Sequence, residues 1–204
     1  SPPLRPLPSP SSQYNVSDSD CLNSMVPVSV KKEKVVFATL NISGNKISNK
    51  KTEISEFEKR ANVFLLTEAF FDMKKVKFKN KLFLSTFQEN KRGLIMLLDK
   101  KMKILEENIL VPGRAMFIKA EFHKKIYNII GIYAPAETSD TVGMQFYTKI
   151  LDFLNSNPPL ENLELFGDFN VDIKNSKKNG TKIILEEILN KFNLKDTAFC
   201  QKTE

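Results

Sequence analysis

Short apolar runs separated by polar loops are the feature that most limits how this chain folds. Runs of this length and composition predict β-strands at residues 35–40, 63–67, 82–87, 94–98 and 163–166. Residues 115–122 and 126–133 predict a hairpin, because the polar stretch His123-Lys124-Lys125 links two apolar arms. Pro135 follows the second arm and ends it, since proline cannot donate to a strand ladder.

Helical spacing of apolar residues predicts helices between these strands. Ile54, Phe57 and Ala61 are spaced as one helix face, and Thr52 is a candidate N-cap without a complete capping box. Further stripes lie within residues 141–155 and 183–189. The order is strand, helix, strand, several strands, helix, strand, helix. It predicts a mixed α/β layered sandwich.

Composition divides the 204 residues into a tail and a domain. Residues 1–33 are rich in proline and serine, which predicts a disordered tail, and residues 34–204 form the predicted domain. No apolar run approaches the ~18 residues of a membrane span, and no secretory signal is visible. Cys21 and Cys200 form neither a metal-site spacing nor a disulfide framework. We expect a nuclear or cytoplasmic protein that is not secreted and does not bind membranes.

The net charge of +7 and the pI of about 9.3 favour a polyanionic partner, of which nucleic acid is the commonest. A second interpretation stays open. Lysine, asparagine, isoleucine and phenylalanine are abundant and tryptophan is absent, which is also typical of an AT-rich coding sequence. Charge alone therefore indicates DNA only weakly.

Polar residues close the predicted core strands, namely Asn41, Glu68, Tyr133, Asp168 and Asn170. Side chains two residues apart on a strand point to the same side, so Asp168 and Asn170 would converge on one ligand if the chain stays extended. Each residue also has an ordinary structural explanation. Asn41 would cap a turn, Glu68 would be solvated, Tyr133 would be a surface aromatic, and Asp168 with Asn170 would form an Asx-turn.

The combination of these groups suits phosphoester hydrolysis if the strand ends meet. Glu68 and Asn41 offer hard oxygen ligands for Mg²⁺, which would polarise a phosphoryl oxygen. Asp168 would orient or deprotonate the attacking water. Asn170 and Tyr133 would donate hydrogen bonds to non-bridging phosphate oxygens.

Five segments of the chain form a recognisable series: Leu-Asn-Ile-Ser-Gly at 40–44, Leu-Thr-Glu at 66–68, Arg-Gly-Leu-Ile-Met-Leu at 92–97, Ile-Tyr-Ala-Pro at 132–135 and Gly-Asp-Phe-Asn at 167–170. In this order they resemble the endonuclease/exonuclease/phosphatase superfamily, and in particular the apurinic-type endonuclease domains of LINE-type (non-LTR) retrotransposons. The resemblance extends over residues 34 to 200 and is strong as a set.

The resemblance implies a four-layered α/β sandwich, with two central mixed sheets and helices outside. It implies Mg²⁺ or Mn²⁺ as cofactor, DNA as substrate and nicking as the reaction, with a reverse transcriptase domain in the same polyprotein. By position, Asn41 and Glu68 match the family's metal-site residues. Tyr133 matches its phosphate-contacting tyrosine, Asp168 its catalytic aspartate, and Asn170 its phosphate-binding asparagine.

The sequence departs from the family pattern in two places. Thr67 stands where the family often has glutamine. The chain reaches Glu204 without the family's final Asp-containing strand and its Ser-Asp-His segment, and His123 does not match the family's catalytic histidine. We therefore expect an incomplete sheet with an open edge and impaired catalysis. Two alternatives stay open: a phosphatase of the same superfamily, and a non-catalytic nuclease fold that binds DNA or protein.

Overall fold

A computed structural model describes residues 34–43, 47–70, 78, 80–86, 92–136, 139–171, 173 and 179–195. The predicted disordered tail, residues 1–33, lies outside these residues, and the domain boundary at residue 34 stays a prediction. The described part of the chain folds as an α/β structure with two four-stranded mixed sheets and three α-helices. None of its helices has the length and hydropathy of a membrane span.

The first sheet consists of β1 (Phe37–Asn41), β2 (Val63–Phe70), β3 (Lys81–Thr86) and β4 (Arg92–Leu98). Its strand order is β1-β2-β4-β3, with β1 parallel to β2 and the other pairs antiparallel. The second sheet consists of β5 (Lys103–Val111), β6 (Ala115–Phe122), β7 (Lys125–Tyr133) and β8 (Leu163–Asp168). Its strand order is β5-β6-β7-β8, and β7 and β8 are its parallel pair.

The helices provide the crossovers that parallel pairs require. Helix α1 (Lys51–Arg60) connects β1 to β2, α2 (Asp140–Ser156) connects β7 to β8, and α3 (Gly180–Lys191) follows β8. The prediction that Thr52 caps α1 is wrong. A 3₁₀ turn at Ile47–Lys50 leads directly into α1, so its N-cap is Lys50, without a side-chain cap, and Thr52 lies inside the first turn.

The apolar side chains form three layers of contact, which gives the predicted four-layered sandwich. Residues of β2 and β4 alternate between the two faces of the first sheet: Val63 and Leu65 face the second sheet, while Phe64 and Leu66 pack in the cluster that contains Ile54 of α1. The outer face of the second sheet packs against both remaining helices, and the cluster there contains Phe117, Ile130, Ile132, Phe146, Ile150, Leu185 and Ile188.

The two sheets approach closely beside Leu65. A Cβ atom added to Gly131 of β7 would lie 2.9 Å from Leu65 Cδ1, and one added to Gly167 of β8 would lie 2.8 Å from Leu65 Cδ2. Gly167 also has a φ of 133°, a conformation that favours glycine. At this edge β1 contacts β8, and the rings of Phe37 and Phe166 meet edge to face at 5.3 Å. The ends of β1 and β8 are thereby brought together.

Strand β5 was not predicted from the sequence. Its side chains show no regular alternation of burial, and Leu105 and Ile109 are exposed. Pairing with β6 makes it a strand, although the register shifts at two points along the ladder. Tertiary pairing, rather than a local pattern, therefore determines this element.

Helix α3 is joined to α2 through one carboxylate. Asp140 at the start of α2 accepts hydrogen bonds from the backbone N–H groups of Gly180 and Thr181, each at 2.8 Å, and from the Thr181 hydroxyl at 2.7 Å. Asn179 caps the same helix end by accepting from the Lys182 N–H at 2.9 Å. The bonds from the Thr181 side chain and backbone, and then from Gly180, lower the pKa of Asp140 below its ordinary value of 3.8.

We expect Asp140 to make stability depend on pH. Because its folded pKa is depressed, its stabilisation is complete above the ordinary value of 3.8 and is lost as pH falls through the folded pKa. Asp140→Asn should lower the midpoint of thermal unfolding near pH 7, and the gap to wild type should shrink below about pH 4. Asp152→Asn in the same helix, at an exposed position, is the control. An equal gap at both pH values would contradict the prediction.

Candidate active site

Three side chains that the sequence placed at strand ends meet at one end of the sandwich. The Asn41 amide nitrogen donates to Glu68 Oε1 at 2.9 Å and to Asp168 Oδ2 at 3.1 Å. Asn41 is the last residue of β1 and Asp168 the last residue of β8, so this one amide bridges the two sheets. Asn41 is exposed and both carboxylates are half-buried, which leaves the cluster open to a ligand from solvent.

Glu68 does not end its strand, as the sequence suggested, but lies in a bulge within it. β2 continues to Phe70, and its register against β4 shifts between Leu66 and Ala69. The backbone of Glu68 has a φ of 54°, which is uncommon for a residue with a side chain. Bulges of this kind redirect a side chain, here toward Asn41. Thr67, just before the bulge, is fully buried, and its hydroxyl has no hydrogen-bond partner within the described residues.

Asp168 and Asn170 form an Asx-turn rather than an extended pair. β8 ends at Asp168 and Asn170 has a φ of 48°, so the chain does not stay extended, which was the condition for the two side chains to converge; the alternative left open by the sequence, an Asx-turn, is the one that forms. The Asn170 N–H donates to Asp168 Oδ1 at 3.2 Å, while its side-chain amide donates to the Ala134 carbonyl at 2.7 Å. The turn therefore holds Asn170 against the end of β7, next to Tyr133, which pairs with Asp168 in the β7–β8 register.

Asn41 also caps a turn, the structural role that the sequence analysis left open. Its side-chain oxygen accepts from the Ser43 N–H at 2.8 Å, while its nitrogen faces the two carboxylates. In this orientation Asn41 is a donor to Glu68 and Asp168, and the carboxylates supply the oxygens of the cluster.

Two residues that the sequence analysis did not select support the site. Tyr147 of α2 is buried, and its hydroxyl donates to the Phe169 carbonyl at 2.7 Å, in the middle of the Asx-turn. Burial, and then the negative charge of Asp168, raise the pKa of Tyr147, so the phenol stays protonated and donates. Arg114 places its guanidinium 4.3 Å from the centre of the Tyr133 ring. Neither residue ends a predicted strand, which is why a search of strand ends did not find them.

His123 lies far from this cluster. It occupies the turn between β6 and β7 with a φ of 48°, and its ring contacts Phe122. β7 runs from Lys125 to Tyr133, so the turn and Tyr133 lie at opposite ends of the strand. At ~3.3 Å per residue they are about 26 Å apart. The His123 side chain is exposed, as the sequence predicts for a residue in a solvated turn.

Solved structures with the same architecture were found by structural comparison, whereas searches of family models and of curated protein sequences gave no match. The endonuclease domain of TRAS1, a telomere-specific non-LTR retrotransposon, superposes with a TM-score of 0.60 at 15% identity, over 78% of this chain and 72% of that one. A humanized TDP2 from D. rerio gives a TM-score of 0.53 at 16% identity, over 68% and 63% of the two chains. Both belong to the endonuclease/exonuclease/phosphatase superfamily.

The chain adopts the endonuclease/exonuclease/phosphatase fold. A β-hairpin deletion mutant of β toxin from Staphylococcus aureus is a further match, with a TM-score of 0.56 at 15% identity, over 80% and 74% of the two chains. The fold expectation drawn from the sequence is thus confirmed. In this endonuclease/exonuclease/phosphatase fold, the cluster around Asn41 lies where the two sheets meet at the ends of β1 and β8.

The donor set of the cluster fits a hard cation. Glu68 and Asp168 are both hydrogen-bonded to Asn41, so their oxygens lie close together at the protein surface. Carboxylate oxygens suit Mg²⁺ or Mn²⁺ better than a softer metal. A group of three or more His, Cys, Asp or Glu side chains arranged for a metal is absent from the described residues. One or two carboxylates are the usual protein ligands of Mg²⁺, with waters or substrate oxygens in the other positions.

We expect Tyr147→Phe to destabilise the protein by about 0.5–1.5 kcal/mol, because the half-buried Phe169 carbonyl loses its donor. The measurement is the free energy of unfolding in urea. Tyr127→Phe, which removes a hydroxyl elsewhere in the second sheet, is the matched control. Equal unfolding free energies for wild type and Tyr147→Phe would show that the hydroxyl does not stabilise the turn.

Proposed function

We propose that this protein is a Mg²⁺- or Mn²⁺-dependent phosphodiesterase that nicks DNA, of the kind encoded by non-LTR retroelements. The observation that supports this most is the meeting of Asn41, Glu68 and Asp168 at the junction of the two sheets. These residues come from strands far apart in the sequence, and carboxylates placed together at a surface suit a cation and an attacking water better than they suit packing.

Glu68, together with Asn41, would hold the metal. When bound, Mg²⁺ or Mn²⁺ supplies positive charge to a phosphoryl oxygen and to the leaving oxygen. The Asn41 nitrogen, and not its oxygen, faces the carboxylates, so Asn41 would ligate a metal beside Glu68 only after its amide turns over, whereas the Glu68 carboxylate is available without that change. The bulge at Glu68 directs its carboxylate toward the Asn41 side-chain amide, which also donates to Asp168.

Asp168 would orient the attacking water and take its proton. The Asn41 amide and the Asn170 N–H both donate to its oxygens and fix the orientation of the carboxylate. Asn170 and Tyr133 would bind the non-bridging oxygens of the phosphate. The Asn170 amide carries two hydrogens, of which one is used on the Ala134 carbonyl.

DNA is the proposed substrate. The net charge of +7 favours a polyanion. Structures with this fold include the TRAS1 endonuclease domain and a D. rerio TDP2 complexed with a single-strand DNA product. From the similarity to a non-LTR retrotransposon endonuclease domain we also propose a reverse transcriptase domain as partner within a longer polyprotein, and a nuclear or cytoplasmic location.

Slow turnover is part of the proposal. The single histidine of the sequence, His123, precedes β7, and Tyr133 ends that strand about 26 Å further along, so His123 supplies no imidazole to the cluster. General acid–base groups contribute about 10²- to 10⁴-fold, and we expect a rate lower by that order than with an imidazole in place. The same observation favours a second candidate function, a non-catalytic fold that binds DNA or protein. A phosphatase of the superfamily is the third.

The test is nicking of supercoiled plasmid in Mg²⁺. Glu68→Gln and Asp168→Asn should each lower the nicking rate by about 10²-fold or more, because each removes a charge needed for the metal or for proton transfer. His123→Gln should nick at the wild-type rate, and chelation of Mg²⁺ should abolish nicking.

Other outcomes separate the alternatives. Both variants nicking as fast as wild type would show that the site assignment is wrong. Plasmid binding without nicking would identify the binding fold. Release of phosphate from inositol phosphates, with plasmid left intact, would identify the phosphatase.

A further inference from the structure

Arg114 was not predicted as a site residue, but it contacts two elements of the site directly. It ends the turn between β5 and β6, where its N–H donates to the Val111 carbonyl at 2.9 Å. Its carbonyl accepts from the Tyr133 N–H at 2.7 Å, and its guanidinium lies 4.3 Å from the centre of the Tyr133 ring. Tyr133 is thus held by Arg114 through both its backbone and its ring.

The same guanidinium reaches the neighbour of Tyr133. Arg114 Nη1 donates to the Ala134 carbonyl at 3.3 Å, and this oxygen also accepts from the Asn170 side-chain amide at 2.7 Å. Ala134 is buried, so its carbonyl position is well defined by packing. One carbonyl oxygen therefore joins the cation of Arg114 to the amide of Asn170.

We propose that Arg114 is a positioning residue that fixes the Tyr133 ring and the Asn170 amide as one phosphate-binding pair. The inference rests on the proposed function, which assigns Tyr133 and Asn170 to the phosphate. The contact of the guanidinium with the ring face restricts rotation of the Tyr133 ring and hence the direction of its hydroxyl hydrogen. The shared carbonyl sets which hydrogen of the Asn170 amide is engaged and which one faces the ligand.

The geometry explains why an arginine occupies this position. A guanidinium is planar, so it can lie over an aromatic ring while its edge donates a hydrogen bond. A lysine ammonium is a point charge without a face or a fixed edge, and it cannot make both contacts with the same geometry. Arg114 is half-buried, which strengthens the interaction of its cation with the ring relative to an exposed pair.

A purely structural role for Arg114 is the competing explanation. Its backbone hydrogen bonds to Val111 and Tyr133 tie the turn to β7, and any side chain at this position keeps them. If the Arg114 side chain had only a structural role, its removal would lower the stability of the protein but would not change the contribution of the Tyr133 hydroxyl to DNA affinity. The two explanations therefore differ in whether the effects of Arg114 and of the Tyr133 hydroxyl on DNA affinity are coupled.

The experiment is a double-mutant cycle on DNA affinity. Arg114→Met, Tyr133→Phe and the double variant are compared by fluorescence anisotropy with a labelled single-stranded oligonucleotide in EDTA, where no cleavage occurs. Arg114→Met should weaken binding about 3- to 30-fold, and this loss should shrink to within about twofold in the Tyr133→Phe background. Arg114→Lys, which keeps the charge, should recover only part of the affinity.

Arg60→Met is the matched control. It removes the same charge from the exposed end of α1, where Arg60 pairs with Glu56 at 3.8 Å, and it should leave the affinity within about twofold of wild type. Additive losses in the cycle, full recovery by Arg114→Lys, or a lower unfolding midpoint with unchanged affinity would each overturn the proposal. The cycle measures affinity in EDTA, so its result does not depend on catalysis. Plasmid that is bound but not nicked in Mg²⁺ would overturn only the catalytic proposal.

Discussion

The apolar layer between the two sheets determines where the groups of the site lie. Val63 and Leu65 of the first sheet pack against side chains of the second, and burying an aliphatic side chain of this size contributes about 1.5–3 kcal/mol. Gly131 and Gly167 leave room for Leu65, so the sheets come close at this edge. The short amide of Asn41 can therefore reach from β1 to β8.

Two features of the site cost folding free energy, which the apolar layer between the sheets offsets. Glu68 and Asp168 are like charges held near one another by a shared donor, and Glu68 adopts a φ of 54° that costs of order 1–3 kcal/mol. A divalent cation would relieve the repulsion between these carboxylates. Tyr147 and Asp140 stabilise the folded state. The Tyr147 hydroxyl bonds to the Asx-turn at Phe169, and the Asp140 carboxylate bonds to the first residue of α3.

The sequence predicted the elements that carry a local pattern and missed those that depend on pairing. The hairpin of β6 and β7 is confirmed almost residue for residue, since apolar arms around a polar link are a local signal. β5 has no such signal and exists because β6 supplies its partner. Asn41, Glu68 and Asp168 were recognised by residue type and position, but the bulge at Glu68 that turns its side chain depends on the register with β4. Arg114 was not recognised because only the folded chain brings it to Tyr133.

The hydrogen bond between Asn41 and Asp168 joins residues 127 positions apart in the chain. Such a contact closes a long loop, and its entropy cost is recovered only when the intervening strands have docked. A partly folded chain that has formed α1, β2 and the β6–β7 hairpin thus contains Glu68 and Tyr133 without their partners. Because Asp168 is the last residue of β8, the cluster of Asn41, Glu68 and Asp168 is complete only when β8 lies beside β7.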